Sequence, residues 1–371
     1  MSNKYCLIYN FYLHYREGIF VKMDTELGCD FYFGDRLDWA PGIKGMDLNM
    51  LRGFKKVLKN IKVFKYFTWQ EGSWKLVLKD YKYYILYGDP SYLSNWIILI
   101  LAKITGKKTY IWTHGLYQDL NWKSKIINYP FYYFATKILL YGDYSKNIMV
   151  KRGFKVNKLL CIYNSLDHEN MLLLRKKLET SKLFSNFFKN EYPVLIYIGR
   201  IQKSKKVEYV LSALSILRSK GVFVNLIVVG EDNENVNLFS IAEKLNLQNY
   251  IWMYGPCYNE EILSQLIYNS DVCVSPGNIG LTAMHTLSYG TPAITHSNFK
   301  NQMPEFEAIM PGFTGDFFLE DDVDDLVLTI RKWINLDIKL REKIRENCYK
   351  VIDERYNPAY QIKIFKSMIY D

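Results

Sequence analysis

Apolar residues fall into short, nearly unbroken blocks, separated by longer stretches in which they recur every three or four positions. Blocks of this kind mark strands buried on both faces, and the stretches mark amphipathic helices. In the first half the pattern predicts strands over residues 6–10, 83–87, 109–112, 138–141 and 159–163, with a loop over 11–18 after the first. In the second half it predicts strands over 194–198, 225–229, 250–254, 272–275 and 293–295. Helices over 207–220, 236–245, 259–268 and 280–289 alternate with them. Alternation of strands and helices implies parallel sheets with helices on both faces.

Residues 168–190 interrupt the series as a charged helical segment, and helical periodicity returns near residue 325. Pro358 opens a last helix. The expected organisation is a first domain over 1–168, a linker helix over 169–192 and a second domain over 193–355. A C-terminal helix over 356–371 is expected to pack back on the first domain. The fold class is α/β, with two doubly wound, Rossmann-like domains facing each other across a cleft. Ligands of such sheets bind beyond the carboxyl ends of the strands, so the functional loops are expected there.

Composition agrees with this organisation and adds an asymmetry. A chain of 371 residues, 49% hydrophobic, is long enough for two cores. Residues 1–170 carry 25 Lys and Arg against 14 Asp and Glu, and the remainder carries 23 against 24. The whole positive surplus therefore lies in the first half and predicts an anionic partner there. Aromatic residues make up 16% of the chain, a composition suited to sugars or amphipathic partners. The six cysteines (Cys6, Cys29, Cys161, Cys257, Cys273, Cys348) form no CxxC pair, so neither a zinc site nor a disulfide framework is expected. Residues 1–13 lack the pattern of a secretory signal, and the longest apolar run, 96–102, is too short to span a bilayer. The expected location is cytoplasmic, peripheral on the cytoplasmic face of the inner membrane.

Candidate chemistry gathers at strand ends. In Tyr197-Ile198-Gly199-Arg200-Ile201-Gln202-Lys203-Ser204-Lys205, a buried strand stops at glycine and two cations stand at the mouth of the next helix. With the helix N–H groups they make an anion site suited to a diphosphate. In Ser275-Pro276-Gly277-Asn278-Ile279-Gly280-Leu281-Thr282, a small-residue loop enters a helix, and the N–H groups of Gly280, Leu281 and Thr282 point at phosphate oxygens. His285 lies one turn further, and Gly290 and Pro292 stop the helix. In the first half, His114 follows a strand, and the loop with Arg16 and Gly18 follows the first strand. Arg16 is expected to bind a phosphate and Gly18 to permit its close approach.

Gly199-Arg200 with Lys205, Val229-Gly230, Tyr254-Gly255, Asp271-Val272, Ser275-Pro276, Gly280-Leu281 and Gly290-Thr291-Pro292 resemble the successive landmarks of the retaining GT-B glycosyltransferases of family 4 (group 1). Ile162-Tyr163-Asn164-Ser165-Leu166-Asp167 resembles the segment ending their N-terminal domain, and the likeness covers residues 138–330. The resemblance implies that Arg200 and Lys205 bind the donor diphosphate and that His114 approaches the donor sugar. It implies a metal-independent hexosyltransferase without a cofactor, moving a sugar from a nucleotide-diphosphate donor with retention. That family carries two Glu eight residues apart, one on the sugar and one on the ribose; here Gly277 and His285 stand in their places. His285 is assigned to the ribose, and Asn278, Glu305 and Glu307 to the donor sugar.

Two stretches bear on partners. Residues 54–67 alternate lysines with apolar residues at helical spacing, and 122–134 combine Lys123 and Lys125 with aromatics. Both suit an anionic membrane surface, and no nucleic-acid-binding motif is present. The acidic run 320–325 precedes a helix, where it complements the dipole, so it is not assigned to a metal. The acceptor is expected to be lipid-linked or a surface glycan of capsule or O-antigen type. A nucleotide-sugar epimerase of the same fold and a non-catalytic glycan-binding relic are the alternatives.

Overall fold

The computed structural model describes residues 5–37, 43–117 and 122–368. Residues 1–4 of the stretch inspected for a targeting signal, the Lys123 side chain and residues 369–371 lie outside the described residues. The chain forms two compact units, Met1–His168 with Asn357–Asp371, and Glu169–Tyr356.

The first unit runs β1 (Tyr5–Tyr9), α1 (Glu17–Leu27), β2 (Cys29–Gly34), β3 (Phe54–Leu58), β4 (Asn60–Val63), β5 (Phe67–Gln70), β6 (Tyr83–Tyr87), α2 (Leu93–Ile104), β7 (Lys108–Thr113), α3 (Trp122–Phe134), β8 (Lys137–Leu140), α4 (Asp143–Lys151) and β9 (Leu159–Cys161). Its sheet is parallel, in the order β3-β2-β1-β6-β7-β8-β9. The order reverses between β1 and β6, which puts a switch point at their carboxyl ends. Alternate residues of each strand enter different cores: Tyr5, Leu7 and Tyr9 one, Cys6 and Ile8 the other. Much of the tyrosine content is spent here, where Tyr83 stacks between Tyr5 and Tyr110 at 4.9 and 5.9 Å.

The helix expected over residues 54–67 is not formed. That stretch supplies β3, which pairs with β2, and β4, which forms an antiparallel hairpin with β5. Lysines alternating with apolar residues serve an edge strand as well as a helix, because the lysines face water and discourage further pairing. Sheet pairing decides the matter, and Lys56, Lys59 and Lys62 are exposed. The expected loop over 11–18 is also shorter: Gly18 is already inside α1.

The second unit runs α5 (His168–Arg175), α6 (Leu183–Phe188), β10 (Val194–Ile198), α7 (Glu208–Ser219), β11 (Asn225–Val229), α8 (Leu238–Lys244), β12 (Ile251–Met253), α9 (Glu260–Tyr268), β13 (Val272–Ser275), α10 (Leu281–Ser288), β14 (Ala293–His296), β15 (Gly315–Phe318), α11 (Val323–Ile334) and α12 (Ile338–Arg355). The linker expected as one helix is two, and both are counted in this unit from Glu169 on. Six parallel strands lie in the order β12-β11-β10-β13-β14-β15, so the switch point falls between β10 and β13. The acidic run is used locally: Asp322 caps α11 through the Asp325 N–H, and Glu320 accepts from Asn298 and Asn301.

From Asn357 the chain rejoins the first unit, where α13 (Pro358–Ser367) packs on α1. Gln361 donates to the Tyr163 carbonyl at 2.9 Å and accepts from the Ser165 hydroxyl at 2.7 Å. Phe365 is fully buried, edge-on to Trp112 at 5.7 Å. Phe365→Ala is expected to destabilise the first unit by about 3–5 kcal/mol, as aromatic truncations in packed cores do. Hydrogen exchange would show lost protection in β1, β6 and β7; unchanged protection there would refute the docking of α13.

Candidate functional site

Three backbone segments converge at the β10/β13 switch point, and glycine permits each approach. Gly199 leaves β10 at φ 142°, and a Cβ on Gly230 would fall 1.9 Å from its carbonyl oxygen. A Cβ on Gly277 would stand 2.5 Å from the Ser204 carbonyl and 2.7 Å from the Lys205 Cα. The Gly277 N–H in turn donates to the Lys205 carbonyl at 3.0 Å. This contact explains the missing carboxylate. The turn that carries Lys205 lies where any side chain on residue 277 would start.

Lys205 is thereby held in place. Its ammonium donates to the carbonyl and the side-chain oxygen of Asn278, both at 2.6 Å. One N–H remains for a ligand. Burial, and then the nearby Arg200 cation, push its pKa down to about 8. Arg200 itself is exposed, its carbonyl held by the Tyr197 hydroxyl at 2.8 Å. The structure thus brings Arg200, Lys205 and Asn278 together. Asn278 directs its oxygen to Lys205, so only its amide N–H₂ is left for a sugar hydroxyl.

The loop from Gly277 to α10 is braced from below. Gln302 is buried; its oxygen accepts from the Ile279 N–H at 3.0 Å and its amide donates to Thr295 Oγ1 at 2.8 Å. Thr295 donates to the carbonyls of Ser275 and Gly277. Gly280 caps α10 at φ 51°, ψ −142°. The Gly280 and Leu281 N–H groups have no partner among the described residues. The Thr282 N–H is turned inward to the Ile279 carbonyl at 3.3 Å, and its hydroxyl donates to the Ile198 carbonyl. That corrects the expectation of three outward amides to two.

His285 sits one turn into α10 and is paired. Its Nε2 lies 2.7 Å from Glu260 Oε1, which also accepts from the Tyr289 hydroxyl at 2.5 Å. Burial works to raise the Glu260 pKa, but the hydrogen bonds from His285 and Tyr289 outweigh it and hold the carboxyl below its usual range. The carboxylate fixes the ring plane through Nε2 and leaves Nδ1 without a partner among the described residues. Neither Glu260 nor Tyr289 was anticipated from the sequence, although Glu260 opens the helix after β12, where strand-end chemistry is sought. Glu305 is buried and Glu307 half-buried in a short 3-10 turn that packs on α10.

In the first unit, a cavity of about 200 Å³ opens at the carboxyl ends of β6, β7 and β8, lined by Asp89, Trp112, Thr113, His114, Tyr132 and Tyr141 among others. His114 keeps solvent contact on one side and faces Tyr141 at 4.8 Å on another. Its crowded surroundings, and then the Arg16 cation, push its pKa down to about 4. The shift biases the ring toward its neutral, hydrogen-bonding form.

Arg16 does not reach out of an open loop, contrary to expectation. It is buried among the rings of Tyr9, Tyr15, Trp112 and Tyr141, 4.8 Å from Trp112, and donates to the Tyr141 hydroxyl. Its Nε and Nη1 groups have no partner among the described residues. Gly18 is corrected too. A side chain there would meet the Leu166 carbonyl and Pro358 at ordinary contact distances of 3.4 and 3.5 Å, so Gly18 sits inside α1 against the first unit's own chain and not in an open loop.

Comparison with known proteins bears on the fold and on sequence likeness. The chain is 25% identical over 264 residues to an uncharacterized 41.2 kDa protein in the cps region of Klebsiella pneumoniae, covering 67% of this chain and 69% of that one. It is 27% identical over 237 residues to the capsular polysaccharide biosynthesis glycosyltransferase CapM of Staphylococcus aureus, covering 60% of this chain and 58% of that one. Among solved structures, Anabaena HepE in complex with UDP matches 99% of this chain and 100% of its own at a TM-score of 0.70 and 13% identity. Two doubly wound parallel-sheet units together with that likeness show the GT-B fold. Residues 179–351, which contain the whole β10/β13 cluster, match the family described as glycosyl transferases group 1.

Proposed function

We propose that this protein is a retaining hexosyltransferase that moves a sugar from a nucleotide-diphosphate donor to a hydroxyl of a lipid-linked or surface-glycan acceptor of capsule type. The observation that carries this reading is the anchored cation pair at the β10/β13 switch point. Arg200 lies near Lys205, and Lys205 is tied to Asn278, two residues before the unpartnered amides of Gly280 and Leu281. Such a constellation favours a group whose negative charge grows as the bond to the sugar breaks. The HepE structure holds UDP, and the two named relatives belong to a cps region and to capsular polysaccharide biosynthesis, which supports the nucleotide donor and the glycan acceptor.

Each residue then has a distinct task. Arg200 and Lys205 take diphosphate oxygens, and their charge removes the need for a metal. His285 offers Nδ1 to a ribose hydroxyl, with Glu260 fixing its tautomer and ring plane. The Asn278 amide reaches a sugar hydroxyl, the part a glutamate at position 277 would otherwise play. Glu305 and Glu307 remain candidates near the sugar. In the first unit, neutral His114 serves a sugar hydroxyl, and Arg16, packed on Trp112 and Tyr141, supplies positive charge next to the cavity for an anionic donor. The basic first half is assigned to an anionic membrane surface on the cytoplasmic side.

The test is transfer from a panel of nucleotide sugars to a lipid-linked acceptor in the presence of EDTA. Retained product under EDTA is expected, and Arg200→Ala should lower kcat/KM by about 10²–10³-fold, the loss typical of one transition-state donor. Epimerised free donor, binding without turnover, or full activity of the variant would each refute the assignment.

A pH profile probes Lys205 separately. Its folded pKa is depressed, so the cation is present below about pH 8 and lost as pH rises through that value. Because kcat/KM reports the free enzyme, it should fall by about tenfold per unit above that point. Bound diphosphate stabilises the ammonium, so kcat should hold to higher pH. No step from His114 is expected between pH 6 and 8, since its pKa lies near 4. A flat kcat/KM profile up to pH 10 would remove Lys205 from the site.

Gly277→Glu restores the carboxylate found in similar enzymes, yet it is expected to abolish donor binding. The new side chain would have to displace the backbone of Ser204 and Lys205. Isothermal titration with the nucleotide diphosphate would check this; unchanged affinity would disprove the close packing as the reason for glycine.

A further inference from the structure

A second basic site lies at the opposite end of the first unit's sheet. A groove of about 840 Å³ opens at the amino ends of β7, β8 and β9. Six of its lining residues are cations: Lys103, Lys107, Lys108, Arg152, Lys155 and Lys158. No carboxylate lines it among the described residues. Its apolar wall is aromatic, with Tyr129, Tyr133, Phe134 and Phe154.

The cations differ in how they are held. Lys107 is committed to its own unit, donating to the Val77 carbonyl at 2.7 Å and the Tyr84 hydroxyl at 3.2 Å. Lys158 donates to the carbonyls of Tyr132 and Tyr133, at 3.2 and 2.6 Å, at the end of α3. The Tyr133 ring lies near two ammonium groups, Lys103 at 5.0 Å and Lys158 at 5.2 Å. Lys103, Lys108 and Lys155 form no ion pair among the described residues. Burial, then repulsion by Lys103 and Lys155, lower the Lys158 pKa to about 8, so the like charges are felt and not neutralised within the unit. An anion settling among them would relieve that repulsion.

Beside the groove, Ile104 at the end of α2 and Tyr133 at the end of α3 are exposed; Ile100 and Ile126 are exposed further back along the same two helices, which pack together. Cations over an aromatic wall, with bare isoleucines beside them, match an amphiphile: a phosphate at the lysines and a hydrocarbon region against the rim. A free sugar phosphate would make no use of that rim. The strand β7 spans six residues, so roughly 17 Å separates this groove from His114 at the other end. A ligand held here is therefore not positioned for reaction there.

We propose that this groove seats the phosphate headgroup of an anionic lipid and holds the first unit on a bilayer surface. The site rests on the proposed assembly of a membrane-associated glycan for its occupant, but not on the donor chemistry. It gives the basic surplus of the first half a location different from the lysine strands at residues 54–67.

The experiment is flotation of the full-length protein with vesicles of phosphatidylcholine alone or mixed with phosphatidylglycerol. Binding only to the mixed vesicles is expected, and the triple variant Lys103→Glu, Lys155→Glu, Lys158→Glu should weaken it by about a hundredfold or more. The control variant Lys56→Glu, Lys59→Glu, Lys62→Glu carries the same charge change on the exposed strand edge and should weaken binding less than about threefold. Equal losses in the two variants would overturn the site in favour of diffuse charge. Protection of the wild type against heat by glycerol phosphate or inorganic phosphate, without vesicle binding, would overturn the lipid as occupant. Transfer to a water-soluble acceptor, measured in parallel, should be the same in wild type and triple variant. Its absence in both would count against the proposed reaction and leave the vesicle result standing, whereas its loss in the triple variant alone would overturn an anchoring role.

Discussion

Lys205 is a half-buried ammonium whose hydrogen bonds go to neutral oxygens of a single residue, Asn278. Much else in the second unit follows from keeping it there. Its turn must pass close enough to the β13 loop for the Gly277 N–H to reach its carbonyl, and only glycine leaves that space. The β13 loop must be held against the turn, which Gln302 and Thr295 accomplish from beneath. A cation so placed has lost part of its water without gaining a carboxylate. It is poised to gain from an incoming anion what an ion-paired lysine would already have spent.

The same constraint redistributes the polar groups around α10. With no side chain possible at position 277, Asn278 is the first residue after β13 able to present an amide. Position 285 carries an imidazole, and the carboxylate stands one shell out, on Glu260. A glutamate at 285 would present charge directly. The histidine instead presents a single lone pair whose direction Glu260 and Tyr289 fix. Recognition thereby shifts from charge to orientation, which favours a hydroxyl over a cation at Nδ1.

The fold was legible wherever the apolar pattern was unambiguous. The strands β6, β10, β11 and β13 coincide with their apolar blocks because interior parallel strands are buried on both faces and tolerate almost no polar residue. The edge was not legible: β3 and β4 read as a basic helix because edge strands share the mixed composition of amphipathic helices. β2 and β15 were missed for a related reason, since Cys29-Asp30 and Gly315-Asp316 break up their apolar blocks. In the site, Arg200, Lys205 and the Gly280 loop were legible because strand-end position is a local property of sequence. Glu260, Tyr289 and Gln302 were not, because what recruits them is packing across α9, α10 and the turns after β14.

Charge placement inside the first unit separates two kinds of cation that composition merges. Arg16 is buried under four rings at the carboxyl ends of the strands, where its field adds to burial in lowering the His114 pKa. The lysines of the amino-end groove are partly exposed and repel one another beside bare isoleucines. A buried guanidinium stabilised by ring faces remains charged and rigid, which suits a site where geometry decides the outcome. Lysines on flexible stems adapt to a surface whose charges move, which suits adhesion. The basic residues of the first unit thus include two separate electrostatic arrangements at opposite ends of one sheet, and only the outer one depends strongly on salt.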